Sequence, residues 1–107
     1  MKNTVMDKTL KITLDGKSMQ TKKELFCEIE RKLSLPQSLG RNWDALDKCL
    51  QSLDWLCQDE IEIILVNKEC ILTKDSSDEI FVFYSCMTDA AEWWKNTRTR
   101  KVQFINL

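Results

Sequence analysis

The chain contains no histidine. That removes the commonest general base and, with it, the usual Ser/His and Cys/His nucleophile pairs. Glycine is nearly absent too, with only Gly16 and Gly40, so no glycine-rich loop can cradle a phosphate. No apolar run approaches the roughly 20 residues that span a bilayer, so no membrane role is expected. The first residues, MKNTVMDKTLK, hold no apolar stretch resembling a signal sequence, and a cytoplasmic location is expected. No CxxC pair occurs among Cys27, Cys49, Cys57, Cys70 and Cys86. An odd, scattered set without histidine argues against a zinc site or a disulfide framework, and buried, reduced thiols are expected. Carboxylate pairs exist, but none stands beside an evident pocket-forming element. Neither an enzyme nor a cofactor is expected.

What is present is ordinary globular composition: 107 residues, 43% hydrophobic and 31% charged, enough for one core. Residues 1–8 read as an N-terminal extension and residues 9–107 as a single domain. Charge is unevenly spread. Residues 41–62 carry Asp44, Asp47, Asp54, Asp59, Glu60 and Glu62 against Arg41 and Lys48, an acidic stretch in a chain of net charge −1. Such a stretch favours a basic partner.

Along the chain, TLKITL (9–14) alternates as a strand and Asp15-Gly16 makes a turn. Thr21 and Glu24 form a capping box, followed by a helix over about 22–34 with Leu25, Phe26, Ile29 and Leu33 inward. Pro36 and Gly40 interrupt it. Asn42 caps a second helix over about 43–54. EIEIILV (60–66) mixes alternation with an apolar run, as in a strand covered on part of both faces, and KECILTKD can add one helical turn. Ser76 and Glu79 form a second capping box. Beyond it Ile80, Phe83, Met87, Ala90 and Trp94 repeat at helical spacing to about Asn96, although Ile80–Phe83 also has strand-like content. KVQFIN closes the chain as a strand. The order β-α-α-β-α-β predicts an α/β fold with a small parallel sheet.

The second helix raises the functional question. At about 100° per residue, Leu46, Cys49, Leu50 and Leu53 gather on one side. Asp44, Lys48 and Gln51 point the opposite way, Asp47 and Ser52 flank them, and Trp43 and Asp54 sit at the border. A solvated face explains this pattern, and so does a docking surface. Asp44 suits the positive end of the helix dipole and can pair with Lys48 one turn on. Trp43 fits a core edge or an interface anchor, and Leu39 is either tucked under its loop or exposed for contact.

The run L-P-x-x-x-G-x-N-x-D-A-L-x-x-C-L, carried by Leu35, Pro36, Gly40, Asn42, Asp44, Ala45, Leu46, Cys49 and Leu50, resembles the signature of the barstar family of intracellular ribonuclease inhibitors. Leu14-Asp15-Gly16 and the first helix fit the same pattern without a gap, and beyond residue 53 the likeness is one of element order. The resemblance implies a three-stranded parallel sheet with about three to four helices. It also implies a surface, formed by the loop and second helix, that plugs the cationic active site of a toxic nuclease. Its toxin-facing residues would be Ser38, Leu39, Gly40, Asn42, Trp43, Asp44, Asp47, Lys48 and Gln51, with Glu92 a further acid on the long helix. Ser38 and Leu39 stand where the family has loop aromatics, and Asp47 where it has an exposed tryptophan. Lys48 stands where the family carries its principal binding aspartate, so Asp47 would supply a carboxylate from a shifted pose.

Three functions follow: an immunity protein or antitoxin against a ribonuclease; the same role against a DNase or tRNA-specific effector of contact-dependent inhibition; and a single-stranded nucleic-acid module using Arg98, Arg100 and Lys101 beside Trp93-Trp94. Direct nucleic-acid binding is not expected, because basic residues after a helix also suit its dipole.

Overall fold

The computed structural model describes residues 9–35, 42–97 and 100–107. Three parallel strands, β1 (Thr9–Asp15), β2 (Glu60–Val66) and β3 (Lys101–Ile105), lie in the order β1-β2-β3. Three α-helices join them, α1 (Lys22–Lys32), α2 (Trp43–Leu50) and α3 (Ser77–Asn96), with short 3₁₀ turns at Gly16–Ser18 and Lys68–Cys70. The element order is the one the sequence predicts, and Ile80–Phe83 is helical.

The register aligns Ile12 with Ile63 and Ile63 with Phe104, so one face of the sheet is apolar throughout. Leu25, Phe26, Leu46, Leu50, Phe83 and Met87 from the helices pack on it in a single core. No described helix covers the opposite face in this way. There Glu60 accepts from the Thr9 hydroxyl at 3.0 Å and pairs with Lys101 at 3.4 Å, while Ile64 and Val66 are half-covered by neighbours. The apolar run in β2 thus reflects full burial of Ile61, Ile63 and Leu65 on one side and only partial shelter on the other.

With so little glycine, the chain turns on other residues. Ser34, Leu53, Asn67, Leu72 and Asn106 all adopt positive φ. At Ser34 the helix end is a Schellman motif, with Ser34 N–H donating to Arg31 O and Leu35 N–H to Glu30 O. Leu53 corrects the expected length of α2. The helix stops at Leu50 rather than 54 because Leu53 turns left-handed (φ 51°), and full burial of its side chain offsets the strain. The first capping box forms in part: Thr21 Oγ1 accepts from Glu24 N at 3.1 Å, but Glu24 Oε1 accepts from Gln20 N at 3.1 Å, one residue before the cap. The second does not. Ser76 makes no side-chain cap, and Glu79 is drawn instead to the indole of Trp43.

The thiols also depart from expectation. The five cysteines form no disulfide, yet only Cys86 is buried; Cys27 and Cys57 are exposed, and Cys49 and Cys70 are intermediate. Cys27 lies on the outer side of α1, Cys49 at the margin of the inward side of α2, Cys57 in the loop before β2 and Cys70 at the end of the second 3₁₀ turn.

Two contacts hold the strand ends and the loop before β2. Gly16 lies so close to β2 that a Cβ there would stand 1.9 Å from Asn67 O, which leaves no room for any side chain. Arg100 turns inward: Nη1 donates to Leu53 O at 2.8 Å, and Nε and Nη2 donate to Gln58 O at 3.2 and 2.9 Å. Its guanidinium is committed to backbone and cannot serve the basic patch read from the sequence; Arg98 of that patch lies outside the described residues.

Two outcomes are expected in urea unfolding. Gly16→Ala loses at least about 2 kcal/mol through the clash of strand ends. Arg100→Ala loses roughly 1.5–3 kcal/mol because it strands buried carbonyls, whereas exposed Lys101→Ala stays within about 0.5 kcal/mol.

Candidate functional site

Asn42 starts α2 by accepting from Asp44 N at 2.8 Å through Oδ1, as its sequence position predicts. Leu46 and Leu50 anchor the helix in the core, and the opposite side carries Asp44 and Lys48, both exposed, with Asp47 and Gln51 half-buried. The amide of Gln51 donates to Asp47 Oδ1 at 3.4 Å. No ion pair joins Asp44 to Lys48, although their spacing permits one; the long lysine remains in solvent, where pairing gains little.

Trp43 lies at the border that the wheel gives it. Its ring packs against Phe26 (centroids 5.1 Å apart) and Phe83 (6.4 Å), and Lys22 Nζ sits 5.3 Å from the ring. The indole N–H donates to Glu79 Oε2 at 3.0 Å. At the far end of α2, Trp94, buried in α3, donates its indole N–H to Leu50 O at 2.7 Å. Two tryptophans therefore tie the first and last turns of α2 to its neighbours. The ridge is preorganised, so docking would cost little ordering entropy.

Charge on the ridge is concentrated. Partial burial, helped by Asp89 and Asp44, raises the Asp47 carboxyl above the ordinary aspartate range. The Cys86 thiol, which donates to Trp43 O across 3.7 Å, is pushed up to about 11 by burial and then by Asp47, Asp89 and Asp44. Asp89 is thus the α3 acid beside Asp47. Sequence reasoning singled out Glu92, which is exposed three residues further on; that Asp89 flanks buried Cys86 and Ala90 on the α2 side was the available signal. Ser38, Leu39 and Gly40 lie outside the described residues.

Among the described residues this surface is a ridge, and shallow concavities of about 590 and 680 Å³ lie elsewhere, beside β3 and along α1. Among the described residues, no cluster of three or more cysteines and carboxylates is arranged to hold a metal. No described helix is long and apolar enough to cross a membrane. A rigid acidic ridge can present carboxylates to a cationic surface.

No curated protein matches the chain. The family model described as Barstar (barnase inhibitor) matches residues 9–106, the whole of the sheet and all three helices. In fold, in the loop-helix signature and over nearly its full length, the chain belongs to the barstar family.

Proposed function

We propose that this protein is an immunity protein, or antitoxin, that occludes the active site of a bacterial ribonuclease toxin in the cytoplasm. The observation that carries this reading is the acidic α2 ridge, held at both ends by indole hydrogen bonds, in a member of a nuclease-inhibitor family. A ribonuclease cleft is lined with Arg and Lys because its substrate is a polyanion. Carboxylates on a rigid helix imitate phosphates there, with charge-assisted hydrogen bonds and electrostatically steered encounter.

Asp44 and Asp47 act as the acidic anchors. Gln51 orients Asp47, Asn42 fixes the first turn, and Trp43 packs beneath. Ser38, Leu39 and Gly40 supply the loop side of the contact, and Glu92 an outlying acid. Lys48 favours a second reading within the same role. A lysine aimed at a cationic phosphate site is repelled, so a client with a carboxylate opposite this position, such as a DNase or a tRNA-specific effector, suits it as well as a diverged ribonuclease does. The exposed thiols Cys27 and Cys57 accord with a reducing compartment.

The test is RNA and DNA cleavage by the nuclease specified by the adjoining gene, with and without an excess of this protein. RNA cleavage should cease; undiminished cleavage of both substrates would sink the proposal, and loss of DNA cleavage alone would select the second client. Asp44→Asn and Asp47→Asn should each weaken inhibition about tenfold.

Asp47→Asn should also move stability in the opposite direction. The native carboxyl holds its proton more tightly than the unfolded one, so stability is lost as pH rises through the native pKa. The variant escapes that loss. It is expected to exceed wild type in thermal midpoint at neutral pH, with the two converging at pH below the usual aspartate range.

A further inference from the structure

Sheets whose strands all run parallel are almost always covered on both faces. All three strands here are parallel, yet no described helix lies over the second face. The register sets out its rows. Lys11, Glu62 and Gln103 lie abreast, then Thr13, Ile64 and Ile105, then Asp15 and Val66. Lys11, Thr13 and Gln103 are exposed, and Ile64, Val66 and Ile105 are only half-buried. Three β-branched aliphatic side chains thus occupy the middle of an uncovered face, where they fit a second layer better than water.

Charge and symmetry say what that layer is. Lys11 and Lys101 stand against Asp15, Glu60 and Glu62, so the face lacks the one-signed field that holds a nucleic acid or a strongly charged protein. A mixed surface of this kind suits its own copy. A two-fold axis along the strands would set Glu60 on Glu60 and Glu62 on Glu62, which repel. An axis lying across the strands at Ile64 avoids both meetings. It stacks Thr13, Ile64 and Ile105 each on its own counterpart. It also brings Lys11 opposite Asp15 of the second copy, because the two stand one row either side of Thr13 on the same strand. Among the described residues, Asp15 accepts from Lys17 N at 3.0 Å and from Asn67 Nδ2 at 2.8 Å through Oδ1 alone, which leaves Oδ2 open to a lysine.

We propose that the open face of the sheet is a self-association surface: two copies stack face to face with strands antiparallel, Ile64 on the axis and Lys11 paired with Asp15 across it. Sheets packed in this manner lie about 10 Å apart with their strands about 30° out of line, which keeps the central row in register. The face is about 20 Å along the strands and about 10 Å between the outer two, well short of the about 800 Å² that each partner buries in a stable complex. The dimer is therefore weak and fills only at high concentration. Both acidic ridges stay on its outer sides, so the association is independent of the nuclease-inhibitor reading.

Sedimentation equilibrium of the full chain, from about 10 μM to about 1 mM, tests this. A reductant keeps the exposed thiols of Cys27 and Cys57 from linking copies covalently. The weight-average mass should climb from that of one chain toward that of two. Thr13→Lys and Thr13→Glu, at an exposed position, should each weaken association at least about tenfold, because each sets like charges face to face. An equimolar mixture of the two variants should associate again, since Thr13 meets its own counterpart. Phe81→Ser, at a residue 70% exposed on α3, should leave the equilibrium unchanged. A mass that stays at one chain throughout, Thr13 variants that associate no better mixed than apart, or loss of association in Phe81→Ser would each overturn the proposal.

Discussion

The molecule turns on the fastening of a two-turn helix by indole N–H groups. A helix of eight residues is too short to persist alone in water, where nucleation outweighs its few hydrogen bonds. Here α2 exists because Leu46 and Leu50 are buried and because Trp43 and Trp94 reach across to Glu79 and Leu50 O. Both bonds run between α2 and the much longer α3, so the short element inherits the rigidity of the long one. Glu79 is a capping residue by sequence and a tether in the fold. The helix it would have capped has twenty residues and tolerates the loss.

That fastening also explains how carboxylates can be crowded on one side. Asp44, Asp47 and Asp89 repel one another, and burial adds to the cost at Asp47. A flexible loop would relieve the strain by moving apart, whereas a pinned helix cannot. The repulsion is offset by the aromatic contacts of Trp43 with Phe26 and Phe83 beneath the ridge. The proposed docking and the stability of the fold thus make opposite demands on the same side chains.

Most of the fold was legible from periodicity. Strand alternation in TLKITL, the helical repeat from Ile80 to Trp94 and the Thr21 and Asn42 caps all describe local geometry, and local geometry survived. What could not be read depended on contacts distant in sequence. Glu79 left its cap for Trp43, Leu53 ended α2 early because the core and Arg100 held it there, and Arg100 turned from solvent to the loop carbonyls. At the ridge, the wheel gave the orientation of Asp44 and Gln51 correctly, but only the packing of α3 on α2 brought Asp89 beside Asp47.

The sheet covered on a single side gives the molecule a back as well as a front. Lys11 and Lys101 stand on that back, both exposed, with Lys101 paired to Glu60 at 3.4 Å. A surface tether or a fluorophore joined there would leave the front unobstructed and every molecule facing the same way.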